Sequence, residues 1–244
     1  MADFWAPLHE VTPARIGLGR VGNSMPTGAL LAFGAAHAAA RDAVHLPLDV
    51  DAMVAAVRGL DLGAPSLVES AAPDRGTYLA RPDLGRRPAD GDRLPGAEHG
   101  VDLAVIIADG LSSAAVSAHA VPVLAALVAL LPDLRVAAPV IAVNARVALG
   151  DHIGHRLGAS LALVLIGERP GLSSADSLGA YLTWEPRPGV QDSARNCVSN
   201  IHPPVGLDHD TAARTIASLI TGARSLRATG VGLKDSSSTV SAIP

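Results

Sequence analysis

The chain has 244 residues, 49% of them hydrophobic, enough to bury one main core with a smaller appendage. With 19 basic against 23 acidic side chains, a net charge of −4 and two each of Phe, Trp and Tyr, it lacks the basic footprint and the stacking platform of a nucleic-acid-binding protein. Cys197, the single thiol, excludes an internal disulfide and a Cys-rich zinc site and fits the reducing cytoplasm.

Residues 1–10 carry Asp3, His9 and Glu10 where a secretory signal has basic and then apolar residues, so no such signal is expected. Gly17-Leu18-Gly19-Arg20-Val21-Gly22 matches the dinucleotide fingerprint. The fingerprint must follow a buried strand, whereas residues 11–16 contain Pro13 and scattered apolar residues. The favoured reading is a shaped loop presenting Arg20; the alternative is a stand-alone Rossmann-like oxidoreductase that binds NAD there. A helix is expected over about 28–42 with Thr27 as its cap, and another over about 49–58 stopped by Gly59. The β-prone runs 66–70 and 77–80, separated by Pro73 and Gly76, read as a hairpin. The Pro- and Gly-rich stretch 88–100 reads as a linker, closing an amino-terminal α+β region over 1–99.

Beyond Gly100 apolar strands alternate with amphipathic helices. Strands are expected at 101–108, 136–143, 161–166 and 180–184, with helices at about 116–131, 149–157 and 210–227, the last capped by Asp208. The apolar run 120–131 is too short to cross a bilayer, so it reads as a core helix and no membrane partner is expected. The alternation predicts an α/β fold, a Rossmann-like, doubly wound, mostly parallel sheet over 100–230, with a tail over 231–244 that has nothing to pack.

Ligands of such sheets sit beyond the carboxyl ends of the strands, which directs attention to Asp109-Gly110 and Glu168-Arg169. Asp109 and Glu168 either share a ligand edge, or Asp109 caps its helix and Glu168 pairs with Arg169. Residues 195–202, polar around Cys197, read as a binding loop, with Cys197 as an inert residue in preference to a nucleophile. His152 and His155 have metal-ligand spacing but no third ligand near them in sequence, so they read as solvated helix-face residues.

Five segments in order carry a resemblance: Arg81-Pro82-Asp83-Leu84-Gly85-Arg86-Arg87, Ile107-Ala108-Asp109-Gly110-Leu111-Ser112, Arg146-Val147-Ala148-Leu149-Gly150-Asp151-His152-Ile153-Gly154, Val164-Leu165-Ile166-Gly167-Glu168-Arg169-Pro170-Gly171-Leu172 and Asn196-Cys197-Val198-Ser199-Asn200-Ile201-His202. Together they resemble the light chain of ethanolamine ammonia-lyase. The resemblance runs from about residue 14 to 233 and also takes in the Gly17 loop. It implies an adenosylcobalamin-dependent lyase that converts ethanolamine to acetaldehyde and ammonia by a radical route. It further implies a hetero-oligomer in which a large subunit holds most of the substrate contacts, and this chain supplies no catalytic acid, base or nucleophile. Cobalamin contacts are implied at Val147, Glu168 and Cys197; Asp109, Gly110 and Arg169, at strand ends in the same motifs, complete the expected cofactor-binding set. No protein ligand to cobalt is expected, because Ile153 stands where the Asp-x-His motif of cobalt-ligating proteins needs histidine. The family's setting implies the cytoplasm and, by analogy alone, a bacterial microcompartment.

Overall fold

The side chains of Leu103-Ala104-Val105-Ile106-Ile107-Ala108 contain no polar atom, so this strand is stable only with both faces covered. In the computed structural model, which describes residues 4–89, 94–97 and 100–235, all six are buried. The strands are β1 (Ser66–Glu69), β2 (Leu103–Ala108), β3 (Val140–Val143), β4 (Leu161–Gly167), β5 (Leu178–Trp184) and β6 (Arg195–Ile201), in the sheet order β1-β3-β2-β4-β5-β6. The helices are α1 (Ala6–His9), α2 (Thr27–His45), α3 (Val50–Arg58), α4 (Arg75–Ala80), α5 (Ser113–Leu130), α6 (Leu149–Leu157) and α7 (His209–Leu226).

Helices cover the sheet on both faces. On one, Val105, Ile107, Leu163 and Leu165 pack with Met53 of α3, Val116 and Leu124 of α5, and Ile216 and Ile220 of α7. On the other, Ala104, Ile106 and Val164 pack with Leu149, Ile153 and Leu157 of α6. The helix α5 has the length and apolar character of a membrane span, and it buries Val116, Ala120, Val123, Leu124 and Leu127 in the core.

The sheet is mixed: most of its pairings are parallel as expected, and its antiparallel side departs from the Rossmann-like, doubly wound expectation. β1–β3, β3–β2 and β2–β4 pair parallel, whereas β4–β5 and β5–β6 pair antiparallel. A parallel return needs a crossover of roughly a dozen residues or more, normally helical. Residues 168–177, which join β4 to β5, contain no helix, so the chain folds straight back.

The other corrections are local. The expected hairpin does not form: β1 pairs with β3, and residues 77–80 belong to α4, whose first turn is capped when the Asp74 carboxylate accepts from Thr77 N at 2.8 Å. Thr27 is the first residue of α2, not its cap; Pro26 precedes it without a side-chain hydrogen bond. Residues 195–201 are edge strand β6, not a loop, with Arg195, Val198 and Ile201 buried and the polar residues between them largely outward. The tail docks at its start: Leu233 is buried, and Asn196 Nδ2 donates to Leu233 O at 2.8 Å. The remainder of the expected tail, 236–244, and much of the expected linker, 90–93 and 98–99, lie outside the described residues. The cap expected at Asp208 is present, accepting from Thr211 N at 2.7 Å, and Asp49, expected as the first residue of its helix, is instead the cap of α3, accepting from Ala52 N at 3.0 Å.

Candidate functional site

The ends of β2, β3 and β4 meet at one edge of the sheet, where two glycines permit their approach. A Cβ on Gly110 would lie 2.2 Å from Gly167 O, and one on Gly167 would lie 2.0 Å from Ser112 O. Gly110 also takes φ +58°, a conformation side chains disfavour. Ser112, not Asp109, caps α5, accepting from Ala115 N at 3.2 Å and donating to Ala175 O at 2.8 Å.

Asp109 lies beneath this edge, 1% exposed. Its carboxylate accepts from Asn144 N at 2.9 Å, Ala145 N at 3.0 Å and Arg75 Nη1 at 3.3 Å, so it fixes the turn from β3 into α6. Burial pushes its pKa up, against the pull of the two N–H groups and Arg75. The turn it holds carries Arg146 and Val147. Arg146 N donates to Gly85 O at 2.8 Å, and the guanidinium lies over the Tyr78 ring, 4.3 Å from its centroid. Arg75 lies over the same ring at 4.9 Å.

Two adjoining hollows open above the turn. One, of about 380 Å³, is lined by Gly110, Arg146, Val147, Glu168, Arg169 and Tyr181 among others. The second, of about 410 Å³, shares Arg146, Val147 and Tyr181 and reaches Arg86, Arg195 and Cys197. Val147, Glu168 and Cys197, brought together in sequence by resemblance alone, therefore converge on one groove, with Gly110 and Arg169 on its wall; Asp109 lines neither hollow and shapes it from below. Glu168 does not pair with Arg169: its Oε2 accepts from Ser177 Oγ at 2.9 Å.

Tyr181 faces Cys197 across the β5–β6 pair. Burial pushes the Tyr181 phenol well above its usual range, and the neighbouring Cys197 adds to the shift. Partial enclosure likewise pushes the Cys197 thiol up, a hydrogen bond to Tyr181 pulls it down and the Glu168 charge pushes it further up. Both groups stay protonated at neutral pH, so the groove presents no thiolate nucleophile. A buried ion pair braces the far wall: Arg195 donates to Asp151 at 2.6 and 2.7 Å, with both side chains 2% exposed.

Tyr78, Arg146 and Tyr181 escaped the sequence reading. Arg146 belongs to the 146–154 segment but nothing in the sequence marks its role; Tyr181 becomes visible by strand alternation only once β5 is known to pair with β4. His152 is half-buried on the groove's outer rim and His155 is exposed, and the described residues hold no group of three or more metal-ligating side chains. Among the described residues no strand precedes the Gly17 loop, and the Trp5 ring sits where a Gly17 side chain would lie, so the context a dinucleotide site needs is missing there.

Comparison with known proteins points one way. The model of the family described as ethanolamine ammonia-lyase light chain (EutC) matches residues 2–234. The chain is 54% identical over 236 residues to the ethanolamine ammonia-lyase small subunit of Rhodococcus erythropolis, covering 96% of this chain and 91% of that protein. It is 52% identical over 241 residues to the Azotobacter vinelandii protein of the same description, covering 95% and 88%.

Proposed function

This chain belongs to the ethanolamine ammonia-lyase light chain family, and from that premise we propose that it binds adenosylcobalamin in the groove above the β3–α6 turn, as one part of a lyase completed by a large subunit. The observation that carries the reading is the convergence of Val147, Glu168 and Cys197 on one open groove.

The groove's chemistry fits a corrinoid. A corrin is a broad, flat, apolar ring rimmed with amides, and it requires an aliphatic wall, acceptors for amide N–H groups and donors for amide carbonyls. Val147 offers the first and the Glu168 carboxylate the second. The Tyr181 phenol, kept protonated by burial, is a donor. Arg146 Nε is shielded from solvent with no partner of its own, a donor that a ligand can satisfy.

When bound, adenosylcobalamin supplies radical chemistry through its labile cobalt–carbon bond. The residues of this chain bind and orient it. Glu168 is held by Ser177 with its second oxygen free of any described hydrogen bond, Val147 excludes water from one wall, and Cys197 presents a neutral thiol in place of a competing nucleophile. Ethanolamine is held by the large subunit, and the assembly works in the cytoplasm; a microcompartment setting rests on family analogy.

Coexpression with a large subunit, assaying acetaldehyde release with and without adenosylcobalamin, tests the reading. Release is expected only with both subunits and the cofactor, accompanied by a visible corrinoid spectrum on the purified complex. Full activity from the large subunit alone would refute it.

A further inference from the structure

Arg146 is the most unusual side chain in the groove. It lines both hollows of the groove and a third one beyond them, which also reaches Arg169. Its Nη2 makes a long 3.4 Å contact to Tyr78 O, its Nε is buried without a hydrogen-bond partner, and no carboxylate among the described residues lies within ion-pair distance. Arg169, exposed on the opposite wall, likewise has no ion-pair partner among the described residues. Of the other charges on the groove, Arg86 lies 3.6 Å from Asp192 and Arg195 is locked to Asp151, while Glu168 accepts from the neutral Ser177 hydroxyl and keeps its charge. Two guanidinium groups without an ion-pair partner therefore share one hollow with a single carboxylate, Glu168, which leaves its lining net cationic.

A buried, unpaired guanidinium N–H is costly unless an acceptor arrives, and the fork of Arg matches the oxygens of a phosphate. The stack on Tyr78 fixes the orientation of Arg146 before any ligand binds, so little side-chain freedom remains to be lost. From this geometry we infer that Arg146 and Arg169 form a phosphate-recognising subsite. Resting on the cofactor reading above, its occupant is the phosphodiester of the corrinoid's nucleotide tail, the one anionic group on a ligand whose rim amides are neutral. Glu168 and Val147 grip the ring, while Arg146 and Arg169 set which way the tail leaves it.

The test compares three ligands on the complex of this chain with its large subunit: adenosylcobalamin, adenosylcobinamide phosphate, which keeps a phosphate but lacks the base, and adenosylcobinamide, which lacks both. Affinities are read by equilibrium dialysis with visible absorbance, independently of turnover. Arg146→Gln is expected to weaken the two phosphate-bearing ligands by roughly 10- to 100-fold, the range for losing a charged hydrogen-bond partner, and to leave adenosylcobinamide unchanged. Arg169→Gln, on an exposed side chain, gives the same selectivity with a smaller loss and guards against misfolding of the first variant. Adenosylcobinamide too weak to detect on the wild-type complex, with the phosphate form still bound, supports the subsite as well. Equal losses on all three ligands, or wild-type affinity for adenosylcobinamide equal to that for adenosylcobalamin, overturn the subsite alone. A wild-type complex that binds no corrinoid overturns the cofactor reading and the subsite with it.

Discussion

Asp109 and Glu168 occupy equivalent places in the sequence, each just past a buried strand, and the folded chain gives them opposite tasks. Asp109 is enclosed, with both carboxylate oxygens engaged by Asn144 N, Ala145 N and Arg75. Removing it leaves two N–H groups buried without their acceptor and Arg75, which keeps Val44 O and Gly110 O as acceptors, without its counter-charge, and losing one partner of a buried ion pair typically costs about 3 to 5 kcal/mol. Asp109→Ala is therefore expected to lower the urea midpoint sharply, with loss of cofactor affinity following from disorder in the β3–α6 turn. Glu168 has the reverse signature. It lines the groove and leans on the core only through Ser177. Glu168→Ala should weaken adenosylcobalamin binding by about 1 to 3 kcal/mol while the urea midpoint moves little. An unchanged affinity would remove Glu168 from the cofactor's contacts. Sequence position alone could not separate the pair, because the distinction lies in Asn144 and Arg75, 35 residues after and 34 before Asp109.

At the scale of elements, the helices were legible where a capping side chain marks a start. Asp208 is such a residue, and its carboxylate accepts the expected first-turn N–H of Thr211; Asp49 caps α3 in the same way at the place where the helix is expected to start. The β-prone Thr77, Tyr78 and Leu79 point to a strand only while the cap at Asp74 is left out of account; the cap overrides a weak β preference over six residues. The edge strand β6 was illegible for a different reason: with one face open and one edge unpaired, it needs few apolar residues, and its polar positions look like a loop. The cap at Asp208 gives a pH prediction. Its hydrogen bonds from Thr211 hold the carboxyl below its usual 3.8, so the folded state binds the proton less readily than the unfolded chain. That contribution is complete above about pH 4 and is lost as pH falls through the folded value. Asn caps as well as Asp without titrating, so Asp208→Asn should lose less of its urea midpoint between neutral pH and pH 3 than the wild type. Parallel curves for the two proteins would show that the cap does not carry the acid sensitivity. Ser112→Ala removes a buried cap and a donor to Ala175 O together, and should cost about 1 to 2 kcal/mol by the same assay at neutral pH.

For the molecule as a whole, the reversal after β4 makes the groove. Had β5 followed parallel, a crossover helix would have carried the chain over one face. Instead the antiparallel ribbon β5–β6 sets Tyr181 and Cys197 against Arg146 and Val147 from the parallel half. The two halves are clamped by Asp151 on α6 and Arg195 on β6, and Arg195 also donates to Thr183 Oγ1 at 2.8 Å and Val190 O at 2.9 Å. A buried ion pair is a poor source of net stability, but breaking it by removing one partner costs about 3 to 5 kcal/mol. Arg195→Met should therefore destabilise the chain by that order and, by freeing the β6 wall, weaken adenosylcobalamin binding even though Arg195 need not touch the ligand. The double variant Asp151→Leu with Arg195→Met removes both charges and should recover much of the stability, because no uncompensated carboxylate remains. Cofactor affinity is the discriminating readout. If Arg195 acts only by bracing the wall, affinity recovers with stability in the double variant; if affinity stays low while the urea midpoint returns, Arg195 itself contacts the corrinoid, and the clamp is part of the binding surface.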